Sequence, residues 1–301
     1  MTGRIIKGVG GQYTVLFADG GAQICSAKGV FRHKGLTPFV GDFVAVEDGV
    51  ISAILDRQSC LQRPPIANID QAVFVVSACS PAPNPLVLDR LIAIAECKGI
   101  EPILVFTKCD LASPEPLATV YRNAGFPVVC CDLAAGKTVD GAPVTEAMLP
   151  LLQGRLTVLS GNSGVGKSTL LSHLFPDRVF ETGEISEKLG RGRHTTRHTE
   201  LFPVECGGFV ADTPGFSSWD AEAGELITKD ALARGFREFA DYIPDCRFTG
   251  CSHTVEKGCA VRAAVKAGEI AKSRHQDYCE LYNEVKNIQE WQLKERKNVI
   301  R

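Results

Sequence analysis

The segment that most constrains the fold of this chain is the glycine-rich run at residues 161–168, Gly-Asn-Ser-Gly-Val-Gly-Lys-Ser. It follows the apolar run Leu156–Ser160, a predicted buried strand, and precedes an amphipathic run at residues 169–175. The pattern GxxxxGKS between a strand and a helix is typical of a loop whose backbone N–H groups surround phosphate oxygens. A glycine-rich turn with a chance Lys-Ser pair is the alternative, and the full pattern in this context disfavours it. We therefore predict a nucleoside triphosphate site.

The pattern of this phosphate loop predicts roles for its polar side chains. Lys167 is expected to contact the β- and γ-phosphates and to serve catalysis, and the Ser168 hydroxyl is expected to bind Mg²⁺. The predicted nucleotide-binding residues of the loop are Gly161, Asn162, Ser163, Gly164, Val165, Gly166, Lys167, Ser168 and Thr169. The loop by itself does not identify the base.

A second phosphate-side motif, Asp-Thr-Pro-Gly, occupies residues 212–215 at the end of another apolar run. Asp212 closes a predicted buried strand and is suited to hold Mg²⁺ through water, and the Gly215 N–H is suited to meet the γ-phosphate. Alone, this tetrapeptide is an ordinary turn signal. Downstream of a phosphate loop, it becomes a candidate switch segment.

The candidate base-recognition motif is Thr107-Lys108-Cys109-Asp110, which follows a predicted strand at residues 102–106. In GTPases the corresponding motif is NKxD, whose carboxylate accepts two hydrogen bonds from the guanine edge and disfavours adenine. Here Thr107 stands in the Asn position, which loses an amide contact and leaves an ATPase as the alternative within enzymes. Residues 128–132 follow where a second base-contacting loop is expected.

Composition changes twice along the 301 residues. Residues 1–65 contain short alternating runs, such as Gln12–Phe17 and Ala22–Ala27, separated by Gly- and Asp-containing turns. This pattern predicts a small all-β barrel or sandwich. Residues 221–301 are predicted to be helical, interrupted by a Cys/His cluster.

The middle block, residues 66–220, alternates predicted buried strands with helical patterns. At residues 85–98, helical spacing places Leu88, Leu91, Ile92 and Ala95 on one face. Alternation of strands and helices over this length predicts an α/β domain with a mostly parallel sheet and helices on both faces.

The Cys/His cluster consists of Cys246, Cys251, His253 and Cys259. Four soft ligands within fourteen residues are the set that tetrahedral zinc takes, and thiolates with imidazole favour Zn²⁺ over hard cations. Reduced structural thiols and a disulfide pair are the alternatives. We predict one structural zinc ion here, and we interpret the other cysteines among the twelve as small, buried, reduced thiols.

The order of the motifs is distinctive, because the base motif at residues 107–110 precedes the phosphate loop, whereas ordinary GTPases have the reverse order. With the β-rich N-terminal block and the C-terminal Cys/His cluster, this circular permutation resembles the RsgA (YjeQ) family over essentially the whole chain. The resemblance implies an N-terminal OB-fold, a permuted P-loop GTPase domain and a C-terminal α-helical zinc-binding domain. It also implies GTP hydrolysis stimulated by the small ribosomal subunit, late in the maturation of that subunit.

The hydrolytic step is assigned to the segment between the two phosphate motifs. Phe216 stands where many GTPases place a Gln to orient water, so another group must act. Thr195 or Thr196 is suited to close over the γ-phosphate and complete the Mg²⁺ shell. His194 beside them is the candidate catalytic residue, since the resemblance places the family's candidate histidine there. A loop histidine that contacts rRNA or the neighbouring domain is the alternative.

The expected partners are GTP and GDP, the small ribosomal subunit and its 16S rRNA. Formal net charge is -2, so RNA must meet a local basic face. The N-terminal block offers one, made of Arg4, Lys7, Lys28, Arg32, His33 and Lys34 with Phe31 among them. We expect a monomeric, cytoplasmic protein without membrane segments or a signal peptide. A different class remains open, an RNA-binding assembly factor in which GTP is only a structural ligand.

Overall fold

Fourteen strands occur in the part of the chain that the computed structural model describes, which is residues 1–29, 31, 36–62, 64–178, 199–212 and 227–288. Twelve of them form one continuous sheet, and the remaining two, β6 (Cys60–Gln62) and β7 (Pro65–Ala67), form a separate hairpin. Among the described helices, none combines the length and apolarity needed to cross a bilayer.

The first five strands close into a barrel. They are β1 (Thr2–Val9), β2 (Gln12–Phe17), β3 (Ala22–Ala27), β4 (Phe43–Glu47) and β5 (Val50–Ile54). They are hydrogen-bonded in the order β1-β2-β3-β5-β4, and β4 returns to β1. Only the β3–β5 pair is parallel among these contacts. This is the five-stranded barrel of the OB-fold, filled by inward residues such as Ile5, Val15, Val44 and Ile51.

A tight junction connects the barrel to the next domain. Gly41 has φ +91°, and a Cβ on it would lie 2.0 Å from the Ala67 carbonyl oxygen, so only glycine fits. The adjacent Asp42 is fully buried, and its carboxylate accepts from the Arg57 guanidinium at 2.7 Å and from the Phe39 N–H at 2.7 Å. The buried charge is therefore paired where the two domains meet.

The central sheet has five parallel strands in the order β10-β9-β8-β12-β14. They are β8 (Gln71–Ser77), β9 (Glu101–Thr107), β10 (Val128–Asp132), β12 (Leu156–Ser160) and β14 (Phe209–Asp212). Antiparallel strands β11 (Lys137–Thr138) and β13 (Glu200–Pro203) flank them. Because these strands are covered on both sides, they are apolar almost throughout, as predicted.

Helices cover both faces of this sheet. One face packs against α1 (Pro85–Cys97) and α2 (Leu117–Asn123), and the other against α3 (Val144–Leu152) and α4 (Lys167–Leu174). The predicted apolar stripe of α1 is confirmed, since Leu88, Leu91, Ile92 and Ala95 are all buried. Asn84 caps this helix by accepting from the Val87 N–H.

The C-terminal module consists of α5 (Lys229–Leu232), three 3₁₀ turns, α6 (Ala260–Ala267) and α7 (Lys272–Val285). Its core is aromatic, with Phe236, Phe239 and Tyr278 in mutual ring contact. The module packs on the outer face of α1. Gly235 permits the close approach, because a Cβ there would lie 2.8 Å from the Ala93 Cα.

The barrel and the central sheet are joined edge to edge. The end of β1 pairs with β13 in the register Lys7↔Glu200, and the Lys7 ammonium lies 2.7 Å from the Glu200 carboxylate. An irregularity in β1 between Ile5 and Lys7 separates the residues that pair with β4 from those that reach β13. The barrel strand therefore covers the outer edge of the central sheet.

Candidate functional site

The phosphate loop lies at the carboxyl end of β12, in the middle of the sheet. The helix after β8 covers one face of the sheet, and the helix after the neighbouring strand β12 covers the other. Such a change of side between adjacent parallel strands opens a crevice outside their carboxyl ends, where ligands bind in α/β proteins. The strand–loop–helix context predicted from the sequence is confirmed.

The backbone conformation of the phosphate loop depends on two glycines. Gly161 has φ +151°, and a Cβ on it would lie 2.3 Å from the Val75 carbonyl oxygen of the adjacent strand. Gly166 has φ +104° and precedes the first turn of α4, with a Cβ position 3.0 Å from the Leu133 side chain. Any larger residue would displace the loop, because backbone and core atoms occupy the space.

Lys167 points into the loop. Its ammonium donates to the Gly161 carbonyl at 2.6 Å and to the Asn162 carbonyl at 2.8 Å. Burial lowers the pKa of Lys167 from its ordinary value to about 8. A cation held in this position is suited to meet phosphate oxygens, since a negative ligand would replace the hydration that the lysine has lost.

The base motif follows β9 and lies at the same sheet edge as the phosphate loop. Lys108 adopts the left-handed conformation with φ +57°, and its ammonium donates to the Ser80 carbonyl. The Cys109 N–H donates to the Cys131 carbonyl at 3.2 Å, which joins the motif to β10. Asp110 is exposed at the end of this turn. A cavity of about 430 Å³ beside Asp110 is lined by residues 109–115 and by residues of α2 and β10, and it lies outside the phosphate loop.

One contact at the site, made by His173, was missed by sequence reasoning. The loop after β10 packs against the phosphate-loop helix, because a His173 ring nitrogen lies 2.8 Å from the Leu133 carbonyl. Asp132 shapes the same loop by accepting from the Ala134 and Ala135 N–H groups. Residues 128–132, where a second base-contacting loop was expected, form strand β10, and the loop that follows them contacts the phosphate-loop helix. Nothing in the local sequence around His173 signals this contact.

The predicted magnesium and switch residues are described only in part. Ser168 lies in the first turn of α4. Asp212 ends β14, whose neighbour β12 carries the phosphate loop, and the register pairs Val158 with Ala211. Asp212 therefore ends its strand on the phosphate-loop side of the sheet. The predicted residues His194, Thr195, Thr196 and Gly215 lie outside the described residues.

The Cys/His cluster forms a closed site in the C-terminal module. The three Sγ atoms and one ring nitrogen of Cys246, Cys251, His253 and Cys259 all lie within 4.8 Å of one another. The His253 Nδ1 lies 3.5 Å from the sulfurs of Cys246 and Cys259, and those two sulfurs are 3.9 Å apart. Tetrahedral zinc bonds require edges of about 3.6 Å for S···N and about 3.8 Å for S···S. The donor set therefore fits such an ion.

A second layer of contacts holds the ligand loop in place. The Glu256 carboxylate accepts from the Ser252 N–H at 2.9 Å and from the Thr254 N–H at 3.2 Å. Burial works against this charge, but the hydrogen bonds from Ser252 outweigh it and lower the pKa of Glu256 to about 2. From α7, Tyr278 donates to the Ser252 carbonyl and His275 contacts the His253 carbonyl, each at 2.8 Å.

The cysteine interpretation needs one correction. All twelve cysteines lie in the described part of the chain and none forms a disulfide. Of the nine outside the cluster, however, only Cys25, Cys130 and Cys131 are buried. Cys97 is exposed near the C-terminal end of α1. Apolar neighbours in sequence did not imply burial, because most of the other six lie in turns or at the ends of elements, which reach the surface.

Together, these features define a circularly permuted P-loop nucleotide-binding protein with an N-terminal OB barrel and a C-terminal module able to hold a metal. Comparison with known families agrees. The model of the RsgA GTPase family matches residues 54–222, and that of the RsgA N-terminal domain matches residues 2–50. The chain belongs to the RsgA GTPase family, which confirms the resemblance and the predicted fold class.

Individual relatives match almost end to end. The small ribosomal subunit biogenesis GTPase RsgA of Geobacillus kaustophilus is 44% identical over 295 residues, covering 94% of this chain and 97% of the relative. The protein of the same name from Streptococcus pneumoniae is 41% identical and covers 99% of each chain. Among solved structures, YjeQ from Thermotoga maritima superposes with TM-score 0.77 at 29% identity, covering 96% of this chain and 99% of that one. The circularly permuted GTPase YloQ gives 0.75 at 33% identity, covering 96% of each chain.

Proposed function

We propose that this chain binds GTP, hydrolyses it to GDP and phosphate, and acts in biogenesis of the small ribosomal subunit. The observation that carries the proposal is the meeting of the phosphate loop and the base motif at one sheet edge, in permuted order. Family membership and relatives named as small ribosomal subunit biogenesis GTPases support the ribosomal role.

In the proposed site, the phosphate loop and Lys167 hold the β- and γ-phosphates, while Asp110 reads guanine. When bound, Mg²⁺ neutralises charge between the phosphates. Ser168 supplies a hydroxyl to it, and Asp212 supplies a carboxylate through water, with Thr195 or Thr196 completing the shell. Competition between GTP and ATP for the nucleotide site tests the base assignment. Equal affinities would contradict Asp110 as a guanine reader.

His194 is the proposed catalytic residue, which orients or deprotonates the attacking water. The support is its position beside the switch threonines, together with Phe216 where a water-orienting Gln stands in many GTPases. Replacing His194 with Ala should lower turnover on the small subunit by about a hundredfold. GDP affinity should stay within about threefold. The matched control is His198→Ala, and equal turnover in both variants would remove His194 from the mechanism.

The proposed macromolecular partner is the small ribosomal subunit, contacted through 16S rRNA. On the barrel, Lys28 is exposed and supports an RNA surface. Arg4 instead donates to the Gly41 and Asn68 carbonyls, and Lys7 pairs with Glu200. Arg32, His33 and Lys34, which were predicted for the same face, lie outside the described residues. We expect slow turnover alone and marked stimulation by subunits, because switch segments without a Gln need external ordering. Turnover is measured with and without purified subunits. Equal rates would favour the alternative in which GTP is a structural ligand of an RNA-binding factor.

The proposed metal of the Cys/His site is Zn²⁺, in a structural role. Four protein ligands close the coordination sphere, which is typical of structural zinc. Metal analysis of protein purified without chelator should give about one zinc per chain.

We further propose that the protein is a monomer located in the cytoplasm, where its ribosomal partner assembles. Sedimentation at micromolar concentration tests whether it is a monomer.

A further inference from the structure

Thr107, the residue by which the base motif departs from NKxD, is fully buried. Its hydroxyl donates to the Val165 carbonyl of the phosphate loop at 2.6 Å, and the Val76 carbonyl lies further off at 3.4 Å. A hydroxyl has one proton to donate, so the shorter contact takes it. The contact joins residues 58 positions apart in the chain.

The side chain of Thr107 also borders the turn at Gly166. A Cβ built on Gly166 would lie 3.8 Å from both the Cβ and the Cγ2 of Thr107, which is van der Waals distance. Gly166 is the residue at which the phosphate loop turns into α4. The hydroxyl of Thr107 therefore bonds to the loop, and its methyl group borders the space beside Gly166.

The other end of the motif behaves differently. Asp110 is exposed, and Lys108, whose φ is +57°, is half-buried and donates to the Ser80 carbonyl. The motif is thus divided between a buried residue directed at the phosphate loop and an exposed carboxylate available to a ligand.

We propose that Thr107 is a positioning residue that fixes the phosphate loop against the base motif and does not read the base. This inference rests on the proposed function and deepens it, since it leaves guanine selectivity to Asp110. A threonine at this position lacks the side-chain amide that asparagine would supply, but its hydroxyl still donates to the phosphate loop.

The test measures the affinities of the wild type and of Thr107→Val for GDP and for xanthosine diphosphate (XDP). The valine keeps the shape of the threonine side chain and removes its hydroxyl. Loss of a buried hydrogen bond should weaken GDP binding by roughly tenfold. XDP, whose base differs from guanine at the edge that Asp110 reads, should weaken by the same factor, so that the GDP-to-XDP ratio stays within twofold. Asp110→Asn should instead change that ratio by at least tenfold in favour of XDP.

Two further variants keep the test decisive if Thr107→Val does not fold. Thr107→Ser retains the hydroxyl and should bind GDP within about threefold of wild type, whereas Thr107→Ala should show the full loss. Amide hydrogen exchange at residues 161–166 should be faster in Thr107→Ala than in Thr107→Ser. A changed base ratio, or equal GDP affinity in the Ser and Ala variants, would overturn the inference. A wild-type protein that does not bind GDP would instead contradict the proposed function.

Discussion

Burial in the phosphate loop lowers the pKa of the Lys167 ammonium group. With a pKa near 8, the nucleotide-free lysine loses its proton as pH rises through that value. Phosphate oxygens favour the ammonium form, so GDP binding should be strongest below pH 8 and weaken above it. We expect about tenfold weaker binding at pH 9 than at pH 7, by linkage of one proton. Titration calorimetry across this range measures it.

The control for this pH dependence is Lys167→Arg, which stays charged throughout. Whatever its absolute affinity, the variant should show a flat profile between pH 7 and 9. A wild-type profile that is equally flat would show that Lys167 is not the titrating group.

Glu256 is the residue on which the shape of the metal-ligand loop depends. Glu256→Gln removes the charge that accepts from the backbone around Ser252, and outer contacts of this kind usually change metal affinity by about 10–100-fold. Competition with a chromogenic chelator measures the affinity for zinc. Glu280→Gln, an exposed acid on α7, is the matched control. Equal zinc affinity in both variants would show that the loop holds its shape without Glu256.

At the scale of elements, the junction between β12 and α4 depends on glycine. Gly161→Ala would place a methyl group 2.3 Å from the Val75 carbonyl oxygen in a conformation that L-residues avoid. We expect GDP binding to weaken by at least about a hundredfold, because the loop must move. Gly164→Ala is the control: its φ is +76° but nothing lies within 4 Å, so the loss should be about tenfold or less. Similar losses would contradict the steric argument.

Element boundaries were predictable where local chemistry sets them. The bounds of β2 and β3 coincide with the predicted runs, because alternation and turn residues are local signals. Helix α4 begins two residues before its predicted start, at Lys167, because the phosphate loop itself forms the helix N-terminus. Strand β1 was not predicted as a unit, since it changes partners along its length.

At the scale of the whole molecule, one buried arginine joins the C-terminal module to the central domain. Arg274 of α7 is 1% exposed and lies 2.6 Å from the Asp89 carboxylate of α1 and 2.7 Å from Glu238. The Tyr121 hydroxyl also donates to Asp89, at 2.6 Å. Because three elements share these charges, removal of the arginine leaves two carboxylates without their cation.

Arg274→Met should therefore lower the free energy of unfolding by about 3–5 kcal/mol, as for other broken buried pairs. Urea unfolding followed by tryptophan fluorescence and circular dichroism measures it. Glu284→Gln breaks the exposed pair with Arg90 and should cost no more than about 1 kcal/mol. A cost of similar size for both variants would show that burial does not control the strength of this interface.

The sequence by itself determined the class of each domain and the chemistry of each motif. The glycine pattern, Asp110 and the Cys/His spacing predict a phosphate site, a base contact and a metal site, because these signals lie within a few residues of one another. Tertiary structure alone decided the contacts between distant segments. Thr107 on Val165, Lys7 beside Glu200 and Arg274 beside Asp89 are 58, 193 and 185 positions apart. No local pattern encodes such pairs, since they depend on how sheets and helices pack after each has formed.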